Sequence, residues 1–198
     1  MTRALVAANV AVFLLWHTLG RSQQGGDWLA ANFLVSAGAI YQGRVWTLIL
    51  AEFSHYESWH LLLNMIALWT FGRAVERTIG PGRLLRLYLV GALVASVSYV
   101  VYAVVVGSGE PALGASGAVS AIAVVFACIY PRAWLLLNFF IPVPAALAVA
   151  LFLLLDLVGV LNPRGDMIAH AAHLGGALYG FLYWLIVLRP RLRPVYEA

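Results

Sequence analysis

The chain has 198 residues, 63% of them hydrophobic and only 10% charged. An ordinary soluble domain carries roughly 25% charged residues, so a soluble globular fold is excluded and a polytopic membrane protein is expected. The net charge of +4 comes from 12 arginines with no lysine; they flank apolar runs, which makes them orientation signals and not a nucleic-acid surface.

Spans are counted from uncharged stretches, because a helix needs about 20 residues to cross about 30 Å of hydrocarbon. Residues 4–20 form the first. Arg3 before an apolar run also fits a signal peptide, but no small-residue cleavage site follows closely and a signal anchor serves equally well. A long outer loop from Arg21 to Ser58 comes next; it contains Glu52, Ser54, His55, Glu57 and Ser58, and would line a wet cavity if partly embedded. The remaining predicted spans are 57–73, 87–109, 112–131, 143–161 and 167–188. The fifth apolar run starts at Ala133, longer than a span requires, and the prolines of "FFIPVPAA" place a loop there. The reading is an all-α membrane protein, one domain over 1–198 with six transmembrane helices. Cys128, the single cysteine, excludes an internal disulfide and a thiolate metal site, and is read as packing.

Orientation follows from the arginines. With both termini in the cytoplasm, Arg3, Arg73, Arg77, Arg83, Arg86, Arg132, Arg189, Arg191 and Arg193 lie inside and only Arg21, Arg44 and Arg164 outside, the bias expected of cytoplasmic loops. The second, fourth and sixth helices then enter from the outer face. Their first turns carry His60 and Asn64, Ser116, and His170 and His173, so buried polar groups converge at one depth. Unpaired polar groups facing hydrocarbon cost on the order of 2–7 kcal/mol, so these side chains turn inward, where they are functional suspects.

Helical geometry selects which of them meet. Ser116, Ser120, Ala123 and Ala127 form a small-residue stripe on the fourth helix. Gly176 and Gly180 follow His173 at i+3 and i+7, a GxxxG element. Packing of these two faces would bring the Ser116 hydroxyl to an imidazole, the usual base for a serine nucleophile. His60 and Asn64, four residues apart, offer N–H donors for a growing oxyanion, together with the Ser116 N–H at a helix N-terminus. His170 competes with His173; His173 is preferred because the glycines bring its turn closest to the fourth helix, which leaves His170 as a water-facing residue. Asp156, deep in the fifth span, is assigned no chemistry. His55, His60, His170 and His173 as metal ligands of a transporter are the alternative, but no HExxH, cysteine pair or acidic cluster accompanies them.

"HLLLN" at His60–Asn64, "GASG" at Gly114–Gly117 and "AHLGGALYG" at Ala172–Gly180, in that order on alternate helices, resemble the rhomboid intramembrane serine proteases over nearly the whole chain. The resemblance implies a six-helix rhomboid bundle and an endopeptidase cleaving transmembrane segments of membrane proteins near the outer face. Ser116 would be nucleophile and His173 base in a dyad without an acidic third member, with His60 and Asn64 at the oxyanion and Gly114, Gly117, Gly176 and Gly180 in support. It implies no cofactor, no metal and no nucleic-acid partner; the partners are the bilayer and transmembrane substrates. The fifth helix, after "NFFIPVP", would be a mobile gate. "HAAHLGG" and the acid of the fifth span resemble the mitochondrial presenilin-associated branch, yet six helices without an added N-terminal one suit the bacterial type and its inner membrane. Ser120 stands where many bacterial members have an aromatic residue beneath the base, and Thr47 follows Trp46 where many have a Trp-Arg pair. A noncatalytic rhomboid-like protein that binds membrane helices is the further alternative.

Overall fold

The computed structural model describes residues 1–137, 140–162 and 169–196; Asn138 and Phe139 of the proline-rich segment, Arg164, and the start of the sixth predicted span at Met167 lie outside them. Helix α1 (Thr2–Thr18) leads into a connection containing α2 (Gln23–Phe33), α3 (Ala37–Tyr41) and α4 (Thr47–Leu50) and a 3-10 turn at Ala51–Phe53. Then come α5 (Ser58–Ile79), α6 (Pro81–Val106), α7 (Ser116–Ile129), strands β1 (Trp134–Leu137) and β2 (Ile141–Pro144), α8 (Ala145–Leu161), α9 (His170–Tyr183) and α10 (Arg189–Tyr196), the last two joined by a π-helical turn at Trp184–Leu188. Among the described residues, three helical stretches are long and apolar enough to cross a membrane: Thr2–Arg21, Pro81–Val106 and His170–Leu192. α7 and α8 are shorter apolar helices.

The fold is mostly, not wholly, helical. Where the prolines predict a loop, β1 and β2 form an antiparallel hairpin with Trp134 opposite Pro144 and Leu137 opposite Ile141. Pro142 and Pro144 hold extended backbone, and a two-stranded ribbon has outer edges on which a missing N–H is tolerated.

α7 is the hub. Of its 14 residues, 11 are buried, the pattern of a helix apolar on all sides and enclosed by others. It begins at Ser116 itself, four residues later than the predicted span. At 1.5 Å per residue it is about 21 Å long, shorter than the roughly 30 Å hydrocarbon layer. Its packing on α9 is backbone against backbone: a Cβ added at Gly176 would lie 2.0 Å from the Gly117 carbonyl oxygen, and one at Gly180 would lie 2.3 Å from that of Ala121. On the α6 side, a Cβ at Gly117 would lie 2.4 Å from that of Ala95. The glycines read from the sequence as a packing element are therefore obligatory at this seam.

The connection between α1 and α5 folds against the start of α7. Arg44 Nη1 donates to the Ala31 carbonyl (3.2 Å) and Nη2 to Gln42, Trp46 Nε1 donates to Asn32 Oδ1 (3.1 Å), and the Thr47 hydroxyl donates to the Arg44 carbonyl (2.7 Å). Arg44 thus anchors the segment although Thr47 has no charge to do so. Val35 and Ala112 exchange both backbone hydrogen bonds (3.0 and 2.8 Å), and the Gly114 N–H donates to the Ala51 carbonyl (2.9 Å).

Glu52 is buried in this connection, outside the long helices. Its Oε2 accepts the Ala118 N–H (3.0 Å), one of the first-turn donors of α7 that has no partner within the helix; its Oε1 accepts from the Ser96 hydroxyl (3.5 Å). Burial pushes its pKa up from 4.5 to about 8, against the pull of these two donors. Between those values the folded chain keeps a proton that the unfolded chain has lost. Stability therefore falls as pH rises through that window, by at most about 1.4 kcal/mol per unit.

Two outcomes follow. Unfolding of the detergent-solubilised protein should shift to lower temperature as pH rises from 4.5 toward 8, and Glu52→Gln, which keeps an acceptor for Ala118 without the titration, should flatten that dependence; an unchanged slope would detach it from Glu52. Gly176→Ala should cost about 1–3 kcal/mol by overpacking, whereas Gly82→Ala, with no described atom within 4 Å of its new Cβ, should leave the melting temperature within experimental scatter.

Candidate active site

The turn before α7 sets the position of Ser116. Gly114 has φ +118°, a conformation that L side chains rarely adopt, and a Cβ there would lie 2.6 Å from Cε1 of the His60 ring. This glycine lets the chain pass directly under His60 and release Ser116 at the first helical position. His55 holds the same turn from the other side. Its ring packs edge-on against His60 with centroids 4.9 Å apart, and its Nε2 accepts the Ala115 N–H (3.4 Å). Burial, with His60 beside it, holds the His55 pKa down at about 3, so the ring is neutral and can accept.

The seam described above carries α9 against α7 so that His173 faces Ser116, with Nε2 2.7 Å from Oγ. Nδ1 of the same ring lies 2.9 Å from Oδ1 of Asp156 on α8. These contacts fit the tautomer in which Nδ1–H donates to the carboxylate and Nε2 accepts from the hydroxyl. Both His173 and Asp156 are buried. The expected dyad without an acidic neighbour is corrected here: an acid stands behind the imidazole, and Asp156 is part of the site. The arrangement can take a proton from Ser116 and hold the resulting imidazolium.

α8 also supplies the aromatic partner missing from α7. Ser120 only returns its hydroxyl to the Ser116 carbonyl (2.8 Å). The Phe152 ring lies 5.5 Å from that of His173 at an interplanar angle of 31°. Phe152, Asp156 and Gly159 occupy i, i+4 and i+7, one face of α8.

His170 is corrected as well. It is not a water-facing residue but half-buried, with Nδ1 2.7 Å from the same Asp156 oxygen. A Cβ at Gly159 would lie 2.2 Å from its ring, so this glycine makes the space that His170 fills. Asp156, His170 and His173 together present donor atoms within 4.8 Å of one another, the one such group among the described residues that can hold a metal. Asn64 is buried on α5 and its Nδ2 donates to the His60 carbonyl (3.0 Å), which leaves the amide a second N–H. A small cavity beside Ser116 is lined by Glu52, Ser96, Tyr99, Gly114, Gly117 and Ala172, with space for about one water molecule in its ≈ 10 Å³. The expectation that the outer loop lines a cavity fits Glu52 here, but its bond to the Ala118 N–H has no signal in the sequence, since a loop acid has no periodicity.

Comparison with known proteins supplies the family. The sequence matches the family described as "Rhomboid domain" over residues 42–190. It is 36% identical over 203 residues to "RHOMBOID-like protein 12, mitochondrial" of Arabidopsis thaliana, covering 96% of this chain and 59% of that protein. With "Rhomboid protein 1, mitochondrial" of Saccharomyces cerevisiae it shares 35% identity over 193 residues, 92% of this chain and 52% of the relative. With "Presenilin-associated rhomboid-like protein, mitochondrial" of Homo sapiens it shares 29% over 182 residues, 90% and 46%. The chain spans about half to three fifths of the length of these relatives. Their names are organellar, so they lend no support to the expected bacterial inner membrane. The family includes intramembrane serine proteases, and over most of its length this chain belongs to the rhomboid family.

Proposed function

We propose that this chain is an intramembrane serine endopeptidase in which Ser116 is the nucleophile, His173 the general base and Asp156 the positioning acid. The observation that carries the reading is the continuous relay from Ser116 Oγ to His173 Nε2 (2.7 Å) and from His173 Nδ1 to Asp156 Oδ1 (2.9 Å), half-buried at Ser116 and buried at His173 and Asp156, in a membrane protein whose family acts on transmembrane substrates.

In this mechanism Ser116 Oγ attacks a substrate carbonyl carbon while its proton passes to His173 Nε2. Negative charge grows on the carbonyl oxygen and is met by the Ser116 N–H at the start of α7, the His60 ring and the second N–H of Asn64. His173 then hands its proton to the leaving amine, and water, activated by the same base, hydrolyses the acyl-enzyme. Asp156 keeps the proton on Nδ1 so that Nε2 is free to accept, and stabilises the imidazolium. A regular helix hides its carbonyls, so the substrate is a transmembrane segment with small or helix-destabilising residues that unwinds locally. In the accompanying topology α1 and α5 to α9 cross the bilayer with both termini on the cytoplasmic side, as the arginine bias favours.

A fluorophosphonate probe should label the parent and fail to label Ser116→Ala and His173→Ala, each shown to be folded by its melting curve. Asp156→Asn, which removes the negative charge and offers an amide N–H that favours the wrong tautomer, should lower kcat/KM on a single-span reporter by about a hundredfold to ten-thousandfold. Labelling that survives in Ser116→Ala would remove the nucleophile assignment; a folded parent that neither labels nor cleaves would make the chain a binder of membrane helices instead.

A further inference from the structure

We propose that Asp156, His170 and His173 form a binding site for a borderline-soft divalent cation, zinc in the first place, and that occupancy switches off the base. The inhibitory part rests on the protease reading above; the binding part does not.

The donor set is the first argument. Two imidazoles and one carboxylate, contributed by α8 and α9, present atoms within 4.8 Å of one another. Two nitrogens and an oxygen plus one open position is a standard zinc arrangement, whereas magnesium and calcium prefer oxygen donors throughout. Both rings direct Nδ1 at the same oxygen, Oδ1 of Asp156, at 2.7 and 2.9 Å. The converging atoms are therefore those that a bound cation would take.

The carboxylate itself points to a ligand, independently of the cluster's composition. Asp156 is 2% exposed, and its Oδ2 has no hydrogen-bond partner among the described residues. A buried carboxylate oxygen without a donor is costly, the more so in an apolar surrounding. Positioning His173 uses only Oδ1, so the catalytic relay does not account for Oδ2. A cation that takes the carboxylate through both oxygens, Oδ1 shared with the two rings and Oδ2 beside it, satisfies it. The fit of His170 into the space left by Gly159 points the same way, because the reaction proposed above makes no use of that second ring.

Inhibition follows from proton placement. To ligate through Nδ1 a histidine must carry its remaining proton on Nε2. For His173 that moves the proton from Nδ1 to Nε2, with no net gain or loss, and Nε2–H then donates to Ser116 Oγ. The hydroxyl loses its acceptor. Ser116 remains in place, and the nucleophile is no longer activated.

The test uses the full chain in detergent, stripped with a chelator. Cobalt(II) is titrated in and followed by its visible d–d absorption, then displaced with zinc, and fluorophosphonate labelling is measured with and without zinc. The parent and Ser116→Ala should each bind one cation per chain. His170→Ala should weaken binding about a hundredfold or more, and Gly159→Ala, which retains all three ligands but pushes His170 aside, should also weaken it. Zinc should suppress labelling of the parent, with chelator restoring it, and should spare whatever labelling His170→Ala shows without zinc. Absence of binding in both the parent and Ser116→Ala overturns the site, as does binding indifferent to His170→Ala and Gly159→Ala. Zinc suppression that persists in His170→Ala overturns the switch. Cation binding to a parent that never labels leaves the site standing and defeats the protease reading alone.

Discussion

The close approach of α7 and α9 is the constraint on which the rest depends. At Gly117–Gly176 and Ala121–Gly180 there is no room for a side chain between the two backbones. In lipid, where apolar surface gains little by leaving solvent, helices associate through such tight packing and through interhelical hydrogen bonds. Here one contact surface provides both. The glycines fix the distance between the helices, and that distance delivers an imidazole nitrogen to a hydroxyl one turn farther along. A polar pair this deep survives because each member has a partner.

Around that seam the structure meets its polar obligations in a consistent way. The first turn of α7 has donors that the helix itself cannot use, and the connection after α1 supplies Glu52 for one of them, while His55 takes the N–H just before the helix. Both groups are held by burial in their neutral ranges, so neither places a full charge beside the start of α7. That arrangement leaves the field of the helix N-terminus available to whatever negative charge arises at Ser116.

Much of this is legible in the sequence because it is written as spacing. Ser116 between glycines, Gly176 and Gly180 at i+3 and i+7 from His173, and His60 with Asn64 at i+4 all obey one helical period, and the structure brings Ser116 and His173 together. What spacing does not reveal is of another kind. α8 is apolar on nearly every side, so nothing in "FLLLDLVG" marks which face turns inward, and the acid at Asp156 has no visible partner until α9 is placed against it. The water-facing reading of His170 fails for the same reason. Glu52 sits in a segment without periodicity, and its partner is a backbone group 66 residues away. The hairpin at Trp134–Pro144 is hidden because two short apolar strands and one apolar helix look alike in composition.

The imidazole is carried by one helix and tuned by another. α9 holds His173 on the rigid glycine seam, but Phe152 and Asp156 ride on α8, whose outer face is lined by Leu147, Leu151, Leu154 and Leu157, all open to the surroundings. Tilting α8 away from the bundle withdraws ring and carboxylate in a single movement. Under the proposed protease function, bond cleavage would thereby be interlocked with the seating of a peripheral element.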